Sequence, residues 1–140
     1  MALVTRSDWP DLSIEGQTAR LATQISSGFL TAGEALDEGA PCYIKVSDGL
    51  VYMCNGTAAD EAARPVGWTA KSYASGGHPV LWGSGTVIKY DAAGGLTPGR
   101  LFIAATAGRL DTAATTGDPA TMAAAAYAID THNIVVLRLG

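Results

Sequence analysis

The sequence predicts an all-β fold: a small sandwich or barrel-like domain built from two similar β units. Three observations predict it. Glycine is frequent, at 17 of 140 residues, and is spread through the chain. Short runs of β-branched and aromatic residues alternate with turn residues, the pattern typical of small all-β domains. One such pattern also recurs in the second half of the chain, which indicates an internal duplication.

The chain divides into an extended N-terminal arm, residues 1–16, and a single β domain, residues 17–140. The arm has no strand or helix pattern, and Pro10 holds Trp9 in an extended conformation. Trp9, Leu12 and Ile14 are costly to leave in water. We therefore expect the arm to dock on another surface, the alternative being a frayed terminus.

The first elements of the β domain are two runs, residues 41–46 and 50–55, on either side of Asp48-Gly49. Asp-Gly favours a type I′ turn, so these runs predict a hairpin. A second hairpin is predicted from residues 100–106 and 109–113 about Ala107-Gly108. The remaining predicted strands are 65–70, 78–83, 86–91 and 133–139.

Residues 118–130, DPATMAAAAYAID, carry conflicting signals. Asp118 as an N-cap, Pro119 at the first helical position and a run of alanines favour a helix. The internal repeat instead places residues 124–130 over the strand at 64–70. We therefore predict a strand at 124–130 and a turn at Asp118-Pro119.

The internal repeat aligns residues 36–51 with 96–110, with one residue missing from the second copy. It also aligns residues 77–83 with 131–137. The predicted units span about 28–91 and 92–140. The matched pairs are Leu36 with Leu96, Gly39 with Gly99, Ile44 with Ile103, Gly49 with Gly108, Trp68 with Tyr127, and His78 with His132.

Net charge argues against several classes of partner. The chain carries 9 Lys and Arg against 13 Asp and Glu, a formal charge of −4. Nucleic acids and anionic membranes require a basic patch, so neither is an expected partner. No apolar run approaches the roughly 20 residues of a membrane helix. The N-terminus lacks a signal-peptide pattern, so we expect synthesis in the cytoplasm and reduced cysteines.

Cys42 and Cys54 flank the Asp48-Gly49 turn almost symmetrically. A two-residue loop would place Cys54 opposite Tyr43, whereas a bulged loop would place the two thiols opposite each other. A disulfide is therefore one alternative, and two buried free thiols are the favoured one. Zinc binding with His78 and His132, or a Cys–His nucleophilic pair, fits no compact motif spacing.

The carboxylates Glu34, Asp37 and Glu38 cluster before the first hairpin, where a glycosidase could use two of them. An acidic turn in solvent is the commoner arrangement. We predict no catalytic, cofactor-binding or metal-binding residue. Arginine suits carboxylates on a partner protein, and six are present: Arg6, Arg20, Arg64, Arg100, Arg109 and Arg138.

The stretch GFLTAGEALDEGAPCYIKVSDGLVY, residues 28–52, resembles the capsid cement, or head decoration, proteins of tailed bacteriophages. Their pattern of the type aGeaLaaGdpVyi…dGkv is followed by pvGwa, which corresponds here to residues 65–70. A G-x-x-V-x-V-x-x-x-G segment follows, here at 77–85, and then a second Gly-Leu-Gly strand segment, here at 95–112. The resemblance covers roughly residues 28–140 and rests on glycine turns and apolar strands.

The resemblance implies a β-tulip-like homotrimer on the outer surface of an icosahedral head. Its partner would be the major capsid protein, at three-fold and quasi-three-fold junctions of the virion, and it would have no enzymatic activity and no cofactor. The candidate capsid or subunit contacts are Arg6, Trp9, Leu12, Ile14 and Arg20.

The alternative function is a carbohydrate- or receptor-binding β module on a virion surface. In that case Trp68, Tyr73 and Trp82 would stack on sugar rings. Their positions within predicted strands instead favour burial of Trp68 and Trp82 in the core.

Overall fold

A computed structural model describes residues 3–6, 13–14, 24–25, 30–58, 60–114 and 124–137. These residues confirm the predicted all-β class, because their only helical segment is a single 3₁₀ turn at Glu61–Ala63. The strands are β1 Ser13–Ile14, β2 Gln24–Ile25, β3 Pro41–Ile44, β4 Val51–Met53, β5 Gly67–Thr69, β6 Leu81–Trp82, β7 Val87–Lys89, β8 Gly99–Ile103, β9 Leu110–Asp111, β10 Ala126–Ala128 and β11 Asn133–Val136.

The strands form two antiparallel sheets in a sandwich-like arrangement, and over the described residues they do not close into a barrel. One sheet has the order β2-β6-β5-β3-β4. The other has the order β1-β7-β11-β10-β8-β9. The second sheet has one additional edge strand, β1. Its other strands have the same order as the first sheet when β2, β3, β4, β5 and β6 are matched with β7, β8, β9, β10 and β11 respectively. We call β2–β6 unit 1 and β7–β11 unit 2.

The strand registers show which residues of the two units correspond. Pro41 pairs with Trp68 as Arg100 pairs with Tyr127. Ile44 pairs with Val51 as Ile103 pairs with Leu110. The predicted matches of Ile44, Gly49 and Trp68 with Ile103, Gly108 and Tyr127 are therefore confirmed. The difference in residue number is the same for every one of these pairs. Residues 41–53 therefore correspond to residues 100–112.

Three details of the predicted repeat differ in the structure. Ala128 pairs with Gly99, and the equivalent Thr69 N–H donates to Ala40 O, so Gly99 corresponds to Ala40 and not to the predicted Gly39. Trp82 pairs with Trp68 as Val135 pairs with Tyr127, which shifts the match of the last strand by one residue. His78 then corresponds to Thr131 rather than to His132. The strand at 86–91 becomes β7, the counterpart of β2, because each pairs with the last strand of its own unit.

Both predicted hairpins form, but the first turn is not type I′. That turn needs positive φ at both central residues. Gly49 has φ +74° and Asp48 does not have positive φ. The loop instead spans residues 46–49 and is closed by Lys45 N–H donating to Leu50 O at 2.9 Å. Cys42 therefore lies opposite Met53, and neither of the two predicted cysteine registers occurs.

The conflict over residues 124–130 is decided in favour of a strand. Ala126–Ala128 pairs with β8 on one side and β11 on the other. Two antiparallel neighbours satisfy its backbone groups, so sheet pairing overrides the helical propensity of alanine. The predicted turn at Asp118-Pro119 lies outside the described residues.

The apolar interior forms two clusters. The larger joins the inward side chains of unit 2, such as Ile88, Leu101 and Ile134, to Trp68 and Cys54 of unit 1. The smaller lies within unit 1, around Cys42, Val51 and Leu81 and the loop residues that cover them. Because Trp68 and Cys54 belong to the larger cluster, unit 1 completes the core of unit 2.

Candidate interaction surface

The N-terminal residues 3–6 pack on unit 2 and reach unit 1. Val4 is buried in the larger core cluster, and its N–H donates to Leu110 O at 3.0 Å. The Arg6 guanidinium donates to Gly108 O in unit 2 and pairs with the Asp37 carboxylate in unit 1, both at 3.2 Å. Only 11% of the Arg6 side chain is exposed. Arg6 therefore ties the two units together.

A second guanidinium supports the same segment. Arg109 Nη2 donates to Val4 O at 3.0 Å, while its Nε is buried without a hydrogen-bond partner among the described residues. The buried Tyr90 hydroxyl lies beside Arg6 and Arg109 without a hydrogen bond of good geometry. Burial raises the pKa of Tyr90, and the two guanidinium groups oppose the shift without cancelling it. This buried cluster positions the N-terminal segment.

Of the other predicted contact residues, the structure describes only Ile14. Ile14 lies in β1, where its Cα partner is Ile88 of β7. Trp9, Leu12 and Arg20 lie outside the described residues. The structure thus gives Arg6 an internal role, and contact of these five residues with a capsid stays a prediction. Of the remaining arginines, Arg64 and Arg100 are exposed, whereas Arg138 is also outside the described residues.

The second hairpin, β8–β9, packs its tip on unit 1. Gly108 N–H donates to Cys54 O at 3.0 Å, and Gly56 N–H donates to Ala104 O at 2.8 Å. A Cβ at Gly108 would lie 2.5 Å from Met53 Sδ and 3.3 Å from Ala40 Cβ. We call the surface formed by Ala40, Met53, Cys54 and Gly56 the seat. The positive φ of Gly108 and this close approach both explain why glycine occupies the tip.

The corresponding surface of unit 2 is an open groove of about 450 Å³. We call it the Gly99 groove, because Gly99 and Thr112 take the places of Ala40 and Met53 of the seat. Its lining residues are Thr97, Pro98, Gly99, Arg100, Leu101, Phe102 and Thr112. Sequence reasoning did not find this groove. The internal repeat could have indicated the groove, because it makes Gly99 and Thr112 the equivalents of Ala40 and Met53, which contact the tip of the second hairpin.

The cysteines are buried free thiols, as predicted. Burial raises the pKa of the Cys42 thiol far above its usual range, and it does the same for Cys54. Neither is therefore a thiolate at neutral pH. His78 Nδ1 lies 3.0 Å from Leu30 O, and His132 Nδ1 lies 3.0 Å from Thr131 Oγ1. Over the described ranges no three Cys, His, Asp or Glu side chains converge on a metal position.

Two of the clustered carboxylates serve the local structure. Glu34 accepts the Met53 N–H at 2.9 Å, and Asp37 pairs with Arg6. The carboxylates thus hold the first hairpin and the N-terminal segment. Neither the Gly99 groove nor a smaller pocket beside Val4, Leu96 and Leu101 is lined by a carboxylate.

The aromatic residues considered for sugar stacking are not equally accessible. Trp68 is 0% exposed, so its ring is covered by protein. Trp82 is half-buried and lies across from Trp68 in the sheet. Tyr73 is also half-buried, and its hydroxyl accepts the Val80 N–H at 3.1 Å.

Comparison of the chain with family models, curated proteins and solved structures found no match. Among the described residues there is no helix both long and apolar enough to cross a membrane.

Proposed function

We propose that the chain is a structural cement protein of a phage head. In this proposal it binds the outer capsid surface as a homotrimer, with the major capsid protein as its partner. The observation that carries the proposal is the duplicated β unit. Its matched positions are turns and apolar strand residues, such as Gly49 with Gly108 and Ile44 with Ile103. The same kinds of position carry the resemblance to cement proteins.

The roles of the polar side chains support a scaffold rather than a reaction centre. Glu34 and Asp37 are engaged in holding the chain together, and the thiols of Cys42 and Cys54 are buried and protonated. A protein of this kind acts through the shape and chemistry of its surface. Large apolar side chains on that surface are typical of protein contacts. The described examples are Leu3, Val46, Tyr127, Ile129 and Leu137.

The proposed mechanism is multivalent binding. Each subunit of a trimer makes a modest contact with the shell, and the second and third contacts are effectively intramolecular. Avidity then exceeds single-site affinity by about 10²–10⁴-fold. The trimer spans neighbouring capsomers and binds the assembled shell in preference to free subunits. Binding therefore shifts the equilibrium toward the intact shell by mass action.

The experiment compares undecorated shells with shells saturated with the protein. Both are heated, and the temperature at which DNA or encapsidated dye is released is recorded. We expect release at a higher temperature from the decorated shells. If undecorated and decorated shells release their contents at the same temperature, with the protein shown to be bound, the cement role is wrong.

A variant pair tests the predicted arm contacts. Trp9→Ala combined with Leu12→Ala removes apolar groups from the predicted arm, whereas Lys71→Ala shortens an exposed side chain elsewhere. We expect the arm variant to bind shells at least about 10-fold more weakly, since each lost apolar contact contributes of the order of 1 kcal/mol. The Lys71 variant is the control. If both variants bind like the original protein, the arm is not the anchor.

A further inference from the structure

The two hairpins of the duplicated unit have the same form but different surroundings. In each, one closing residue donates its N–H to the other: Lys45 to Leu50 at 2.9 Å and Ala104 to Arg109 at 3.0 Å. Gly49 and Gly108 occupy the same place and both have φ +74°. Gly108 packs on the seat of unit 1, whereas a Cβ at Gly49 would meet nothing within 4 Å among the described residues.

The tip of the first hairpin is exposed, whereas the tip of the second hairpin packs on unit 1 through Gly108. Val46 is 83% exposed, more than any other large apolar side chain in the described chain. Gly49 N–H donates to Lys45 O at 2.7 Å within its own loop, whereas the equivalent N–H of Gly108 donates to the seat. Within the described residues the Val46 N–H donates to Glu61 Oε2 at 3.1 Å, but the first hairpin makes no contact equivalent to that of Gly108 with the seat.

The surface that corresponds to the seat is also uncovered. The Gly99 groove stands where the seat stands in unit 1, and it is open. Tyr127, which corresponds to the fully buried Trp68, is 40% exposed. The face that unit 1 turns toward unit 2 is thus buried, while the same face of unit 2 is partly exposed among the described residues.

The difference between the two hairpins shows whether the contact between the units is reciprocal. A two-fold relation would make the contact reciprocal, so the first hairpin would dock on unit 2 while the second docks on unit 1. No described residue covers the tip of the first hairpin or closes the Gly99 groove, so the contact between units is heterologous. Each chain therefore presents one tip and one groove, and a heterologous contact repeated between chains closes a ring or extends a filament.

We propose that the tip of the first hairpin, residues 46–49, docks in the Gly99 groove of a second copy of this chain. The docked tip would repeat between copies the contact that Gly108 makes with the seat, and Tyr127 would be covered as Trp68 is. Charge favours the same pairing, because the groove carries the exposed Arg100 and the tip carries the exposed Asp48, whose carboxylate also accepts the Leu50 N–H and the Tyr52 hydroxyl. The ring size of three rests on the proposed function, while the docking contact rests on the duplication alone.

Cross-linking between two differently marked chains tests the contact. Gly49→Cys places a thiol on the tip, and Thr112→Cys places one in the groove, where Thr112 is exposed. The native thiols Cys42 and Cys54 are buried and do not compete. The two purified full-length variants are mixed under mild oxidation. We expect a disulfide-linked dimer of one chain of each kind, identified by mass spectrometry.

Gly85→Cys mixed with Thr112→Cys is the matched control. Gly85 also has a positive φ, +89°, and open space around it, so the substitution carries a comparable backbone cost. It lies outside the tip. Cross-linking of the Gly85 pair as fast as the Gly49 pair, or none with either pair at millimolar protein, would overturn the proposal.

Charge reversal in the groove provides the second measurement, with light scattering across a dilution series. We expect Arg100→Glu to weaken association at least about 10-fold, and Arg100→Lys, which keeps the charge, to retain most of it. A wild-type chain that stays monomeric throughout, or an Arg100→Glu variant that associates like wild type, would contradict the contact. Shell binding is assayed separately. A chain that cross-links but does not decorate shells would defeat the capsid role and leave the docking contact standing.

Discussion

The two hairpin glycines are a matched pair for separating backbone strain from packing. Alanine at φ +74° costs about 1–2 kcal/mol through strain alone. We expect Gly49→Ala to lose about that much stability, because the site is open. Gly108→Ala should lose roughly 1–3 kcal/mol more, since its Cβ would overlap Met53 Sδ and crowd Ala40.

Denaturant unfolding of the two glycine variants, at a protein concentration too low for association, gives both free energies. The Gly49 variant serves as the control for strain. Equal losses would mean that the tip of the second hairpin does not pack tightly on unit 1.

The buried thiols give a second prediction at the scale of the residue. Because burial raises the pKa of Cys42 and Cys54, the reactive thiolate is scarce in the folded protein. We expect the native protein at pH 8 to react with a thiol reagent at least about 100-fold more slowly than the denatured protein. Both thiols should react after denaturation without a reductant. Fast labelling of the folded chain would contradict their burial.

The turn between β10 and β11 depends on one carboxylate. Asp130 accepts the side-chain N–H₂ of Asn133 and the backbone N–H groups of His132 and Asn133, and these bonds lower its pKa. A lowered folded pKa stabilises the protein above the unfolded pKa, near 3.8, and this stabilisation is lost as the pH falls through the lowered value.

We therefore expect Asp130→Asn to melt at a lower temperature than the original protein at pH 7. The difference should shrink as the pH falls below the unfolded pKa, near 3.8, and through the lowered folded pKa, because the protonated Asp130 loses the same contribution. Melting curves at four pH values measure this. A constant difference across the series would show that the ionised carboxylate is not the stabilising group.

Sequence patterns predicted β3 to β11, but they missed the short strands β1 and β2 and gave the wrong register for the first hairpin. The runs around 41–46 and 50–55 predicted β3 and β4 because strand preference is local. The register depends on the loop, and Asp48-Gly49 supports more than one loop type. Here the Asp48 side chain accepts the Leu50 N–H at 2.9 Å while Asp48 keeps a negative φ. That side-chain bond favours a four-residue loop over the two-residue type I′ turn.

The candidate interaction surface was less predictable than the strands, because it arises between segments distant in the sequence. Trp68 and Tyr127 are equivalent in the repeat, yet one is fully buried and the other exposed. The difference depends on which face of each unit the other unit covers. No local sequence pattern indicates which face of a unit is covered by the other unit. Similarly, Arg6 looked like a free cation on an arm, and its pairing with Asp37 required the N-terminal segment to be placed on the folded units.

The larger apolar cluster contains side chains of both units, which favours cooperative unfolding of the whole domain. Trp68 and Cys54 belong to unit 1, yet they share this cluster with Ile88 and Ile134 of unit 2. Unfolding unit 1 would therefore remove side chains that bury the apolar face of unit 2. Domains of this size with a shared core usually unfold in a single transition. We expect the same here, despite the duplication.

A variant that keeps only Trp68, with Trp9→Phe and Trp82→Phe, makes its fluorescence a probe of the junction between the units. Its transition in denaturant should coincide with that of far-UV circular dichroism, which follows both sheets, and calorimetry should give one peak. An early fluorescence transition would show the units separating before either unfolds. The duplicated unit would then fold independently, and the core that the two units share would contribute little to stability.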